Sequence, residues 1–146
     1  MSHDDTELVN LAHLSRSRAE LGAAFLRILG YFREDGVKSI KAVEDAFRAR
    51  NSAALVSPAH TLKGESAQFG AYRLSAMAEH IEMTARRCVE ARQGPEELIE
   101  TIVALRPCFT ETMALLDREA SPTVLRRPGA FGRRVDIPVA GFGRAG

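Results

Sequence analysis

The chain reads as an all-α protein: an antiparallel up-down four-helix bundle, preceded by one or two short N-terminal helices and followed by an extended C-terminal tail. Three observations predict this. Apolar residues recur at spacings of three and four from about residue 5 to residue 118. No stretch alternates convincingly as a strand. The segments between the periodic runs are short and carry turn-forming residues, so consecutive helices should return antiparallel to one another.

Leu8, Leu11 and Leu14 mark a short first helix, and Leu21, Phe25, Ile28, Leu29 and Phe32 a second. Gly36 interrupts the pattern, which Val37, Ile40, Val43 and Phe47 then resume in the first bundle helix, about 35–50. Asn51-Ser52 supplies N-cap chemistry for a helix over 52–70, and Gly70 suits the C′ position that closes it. Leu74, Met77, Ile81, Ala85, Cys88 and Val89 form the apolar stripe of a helix over 72–93. Gln93-Gly94-Pro95 stops that helix, and Pro95 with Glu96 and Glu97 suits the first turn of the last one, over 95–118. Leu98, Ile102, Leu105, Phe109, Met113 and Leu116 line it, and Pro107 inside it predicts a kink.

The expected division is a helical domain over 1–118 and an Arg/Gly/Pro-rich tail over 119–146. The tail contains Pro122, Pro128 and Pro138 and repeats Phe-Gly-Arg at 131–133 and 142–144. This composition suits an extended or disordered segment, with docking of its arginines and paired Phe-Gly-Arg segments on a partner or on the acidic body as the sharper alternative. The net charge of +1 hides an asymmetry: residues 1–120 carry 15 basic and 18 acidic side chains, residues 121–146 five arginines against Asp136. The helical body therefore offers no general basic surface for nucleic acid. No apolar run approaches the ~20 residues of a membrane span. The acidic start, Met1-Ser2-His3-Asp4-Asp5, lacks the apolar core of a secretion signal, so a cytoplasmic protein is expected. Cys88 and Cys108 fall in apolar helical patterns and read as buried free thiols.

Chemistry concentrates in Ala59-His60-Thr61-Leu62-Lys63-Gly64. At about 100° per residue, Leu55, Ala59, Leu62, Ser66 and Phe69 form the core stripe of this helix. His60, Lys63, Gly64 and Ala67, with Val56 and Ala53 one to two turns earlier, form a second stripe about 120° away. His60 should thus stand at the surface among short side chains. An exposed imidazole, with a pKa near ~6.5, is largely neutral at cytoplasmic pH and can attack phosphorus. Lys63 offers a cation to offset a phosphoryl group on that ring. Gly64 costs about 1 kcal/mol relative to Ala in a helix interior, which makes sense if a partner's active-site loop must approach the histidine. His3, His13 and His80 lack such neighbours and read as solvated histidines.

The segment Ala59-His60-Thr61-Leu62-Lys63-Gly64, followed by Ser66, Gly70-Ala71, Leu74 and Ile81-Glu82, resembles the histidine-containing phosphotransfer (HPt) family. The resemblance covers about residues 5–118. It implies that His60 is the phosphoacceptor, Lys63 its charge-compensating neighbour and Gly64 the clearance residue. Gln68 and Glu82 stand where the family often has polar residues near the phosphohistidine, and Ala53, Val56 and Ala67 would serve receiver docking. Two residues depart from the family's pattern: Glu65 projects away from His60, and Pro58 either kinks the helix or starts a new one with Ser57 as N-cap.

The function so implied is that of a phosphoryl carrier rather than an enzyme. It would accept the group from the aspartate of a receiver domain and pass it to another receiver in a phosphorelay. The partners would be response-regulator receiver domains and a sensor or hybrid histidine kinase, with Mg²⁺ on the receiver and no cofactor or metal here. The short chain leaves no room for a dimerising kinase core, so a free monomer is expected. An adaptor or inhibitor that docks on a kinase or response regulator without being phosphorylated is the alternative; it would not need an intact His60–Lys63 pair. A carboxylate-bridged metal enzyme is excluded, because no Glu-x-x-His motif occurs: Asn10, Ser57 and Met77 precede His13, His60 and His80 by three.

Overall fold

A computed structural model describes residues 7–120; the Phe-Gly-Arg tail and His3 lie outside the described residues. Helix α1 (Leu11–Leu21) leads through a 3₁₀ turn (Gly22–Ala24) into α2 (Phe25–Arg48). Helices α3 (Ser52–Gln68) and α4 (Tyr72–Ala91) follow, then a 3₁₀ turn (Glu96–Leu98) and α5 (Ile99–Ala120). The connections 49–51, 69–71 and 92–95 are short, and α2 to α5 form an antiparallel helical bundle. The chain falls into two compact units, one ending at Met113 and the other beginning at Ala114. The second contributes the last turns of α5. Among the described residues, no helix is long and apolar enough to cross a membrane.

The expected second helix and first bundle helix are one 24-residue helix, and Gly36 does not interrupt it. The reason is packing. A Cβ on Gly36 would stand 2.4 Å from Cε1 and 2.7 Å from Cζ of Phe109, so the ring occupies the space a side chain would take. That contact belongs to an aromatic cluster: Phe32 lies edge-on to Phe109 and stacked against Phe69 at 5.3 Å, and Phe25 meets Phe69 edge-on. Ile40, Val43, Leu55, Leu62, Leu74, Ile81, Leu98 and Leu105 are fully buried around it, as periodicity predicts. Cys88 and Cys108 are buried free thiols.

Caps fix the remaining boundaries. Asn51 Oδ1 accepts from the Ala54 N–H at 3.1 Å and starts α3. Because α3 begins there, Ser57 caps nothing and Pro58 stands seventh in a continuous helix. The carbonyl that Pro58 cannot serve belongs to exposed Ala54, where water can satisfy it. Pro107 likewise lies inside α5 without ending it, opposite the carbonyl of exposed Val103. Gly70 closes α3 at φ +73°. Its carbonyl accepts from the Asn10 N–H at 2.8 Å, while Ser17 Oγ donates to the Gln68 carbonyl at 2.6 Å, so α1 is tied to the α3–α4 turn. His13, expected in solvent, is instead half-buried, with its Nδ1 against the Tyr72 hydroxyl and its ring edge-on to the tyrosine.

Candidate functional site

The 17 residues of α3 divide between two faces as the helical projection requires. Leu55, Ala59, Leu62 and Ser66 are fully buried, and so is Phe69 at its C-cap. Ser66 donates its hydroxyl proton to the Leu62 carbonyl at 2.6 Å, which pairs its own buried oxygen. On the other face His60 stands with its side chain 64% exposed. Gly64 is exposed one turn after it and Ala53 about two turns before it on the same face, and Val56 and Ala67 are half-buried. A Cβ built on Gly64 meets nothing within 4 Å. The space above Gly64 is open.

Helix α4 supplies the floor. Its residues Ala78 and Ala85, like Ala59 on α3, are fully buried and small, which lets the two helices pack closely. Ser75 Oγ adds a hydrogen bond to the Lys63 carbonyl at 3.0 Å. This packing places Glu82, only 3% exposed, under the imidazole. Glu82 Oε2 lies 3.0 Å from His60 Nδ1, and the same oxygen accepts from Arg86 Nη2 at 2.8 Å and Nε at 3.2 Å. Lys63 Nζ stands 3.1 Å from Oε1 as an ion pair, without the alignment of a directed hydrogen bond. Burial pushes the Glu82 carboxyl up, but Arg86, Lys63 and His60 together pull it down further, to about 2.

An ionised carboxylate can only accept, so Nδ1 of His60 carries a proton, and in the neutral ring Nε2 then carries the lone pair. That lone pair sits on an exposed ring.

The structure thus brings His60, Lys63 and Glu82 into one cluster, with Gly64 and Ala67 beside them on α3. Ala53 and Val56 join Arg86, Val89 and Glu90 around a shallow depression between α3 and α4. Gln68 is apart: it lies two turns beyond His60, about 12 Å along the axis. Glu65 sits half-buried on a different flank, near the Asp35 carboxyl of α2. Burial first, then Asp35, pushes its carboxyl up to about 7. Arg86 escaped the sequence reading. Its spacing of four from Glu82 was the available signal, since such pairs meet on one helix face.

Fold and site together define a helical bundle that presents an outward histidine oriented by a buried carboxylate. The chain belongs to the Hpt domain family, whose sequence profile matches residues 27–119. Among solved structures, it is similar to the crystal structure of histidine-containing phosphotransfer protein B (HptB) from Pseudomonas aeruginosa PAO1. The TM-score is 0.68 at 22% identity, over 79% of this chain and 96% of that one. No curated protein matches the sequence.

Proposed function

We propose that the protein is a phosphoryl carrier in a phosphorelay, taking the group onto His60 from a receiver-domain aspartate and returning it to the aspartate of another receiver. The observation that carries this reading is the exposed His60 with its Nδ1 held by buried Glu82 and its Nε2 open. The Nε2 lone pair attacks the phosphorus of the aspartyl phosphate. The N–P bond forms as the P–O bond to the aspartate breaks, and the aspartate leaves as a carboxylate with the electron pair. No proton moves in this step. The ring becomes an N-phosphorylated imidazolium whose Nδ1–H still faces the Glu82 carboxylate. In the onward transfer a receiver carboxylate attacks phosphorus and the N–P pair returns to Nε2, leaving a neutral imidazole.

Lys63 offsets the charge of the incoming oxygens, and the open space over Gly64 lets the partner's active-site loop reach the ring. Mg²⁺ belongs to the receiver, which also supplies the second reacting group. An adaptor that only docks would use the open face but has no use for an imidazole held in one tautomer. The test is incubation with phosphorylated receiver domains. The expected result is acid-labile, hydroxylamine-sensitive phosphate on the parent and none on His60→Gln. Equal labelling of His60→Gln would sink the proposal.

A further inference from the structure

We propose that Arg86 is a positioning residue for the phosphoacceptor: acting through Glu82, it keeps Nε2 of His60 unprotonated and able to attack at neutral pH. The inference rests on the phosphotransfer reading above and adds a residue to it. Two N–H groups of Arg86 converge on Glu82 Oε2, the same oxygen that faces His60 Nδ1. A bare buried carboxylate at that place would favour imidazolium, which carries a proton on both nitrogens and cannot attack. With a guanidinium on the same oxygen, the carboxylate still orients Nδ1–H but presents much less net charge to the ring. Oε1 is offset separately by Lys63.

The charged groups around the imidazole are therefore Lys63 from its own helix and Glu82 and Arg86 from α4, with Glu90 further along the depression that Arg86 lines. Together Lys63, Glu82 and Arg86 leave one positive charge facing the phosphoryl oxygens. The Arg86 side chain is 53% exposed but the carboxylate it meets is buried, so any structural contribution of the pair is separated from the positioning role by the titration of the His60 ring.

The test is an NMR pH titration of the His60 ring nitrogens in the full chain, with the rate of labelling by phosphoramidate followed over the same range. In Arg86→Ala the His60 midpoint, and with it the acid limb of labelling, should move up by about one pH unit. Arg86→Lys should restore most of the difference. In a Glu82→Gln background, Arg86→Ala should produce little further shift, since the carboxylate it neutralises is gone. An unmoved midpoint in Arg86→Ala, or an equal shift in the Glu82→Gln background, overturns the inference. The titration uses no phosphodonor, so it is read separately from whether receivers transfer to His60.

Discussion

Gly36 and Gly64 both lie inside long helices, where glycine costs about 1 kcal/mol relative to alanine. Their surroundings differ completely. Over Gly36 the ring of Phe109 fills the place of a side chain; over Gly64 there is nothing within 4 Å. The first glycine is required by the chain's own packing, so its cost is offset within the fold. The second has no such compensation, and it stands one turn from the exposed imidazole. A helix weakened toward solvent beside the imidazole fits the proposed approach of a partner's loop. The residues flanking the two glycines, Asp35 and Glu65, meet each other between α2 and α3, on a flank separate from the histidine.

The largest effect should come from filling the occupied side. Gly36→Ala forces the Phe109 ring to move and should lower unfolding stability by about 1–3 kcal/mol, read from denaturant midpoints. A neutral result would show that the aromatic cluster is not rigid there and would dissolve the contrast.

Next is the carboxylate that underlies the open side. The Glu82 carboxyl is held at about 2 against an ordinary 4.5, so it contributes stability that is full above about 4.5 and lost as pH falls toward 2. Glu82→Gln should destabilise the protein at neutral pH, and its stability curve should converge on that of the parent across that acidic window.

Gly64→Ala should do the reverse of Gly36→Ala: stabilise by up to about 1 kcal/mol while slowing transfer from a receiver roughly tenfold or more. Its labelling by phosphoramidate, a donor too small to need the clearance, should stay at the parent rate.

The smallest effect belongs to the flank between the two glycines. The Glu65 carboxyl is raised to about 7, so the folded state holds a proton that the unfolded chain has released above about 4.5. Parent stability should therefore decline as pH rises through that window and level off above 7. Glu65→Gln should flatten this slope in a pH series of melting temperatures.

Much of this was legible in the sequence. The helical periodicity gave the all-α bundle, Asn51 and Gly70 gave both ends of α3, and the 100° projection separated Leu62 and Ser66 from His60 and Lys63. Gly36 misled because a helix-weakening residue looks the same in a sequence whether it ends a helix or accommodates a ring. Its partner, Phe109, is 73 positions away. His13 was misread for the same reason, since Tyr72 reaches it only through the fold. Glu82 could be placed near the histidine by resemblance, but its burial and its contact with Nδ1 depend on the packing of α4 against α3. Arg86 then becomes visible only as the counterion of that carboxylate.

The central claim is that His60 carries phosphate on Nε2 because Glu82 holds Nδ1. Its most direct test is phosphorus and nitrogen NMR of the full chain after phosphorylation by a receiver domain, reading which ring nitrogen is bonded to phosphorus. The account predicts a single phosphorus on Nε2 of His60, with Nδ1 still protonated. Phosphate on Nδ1, or on any residue other than His60, would contradict it.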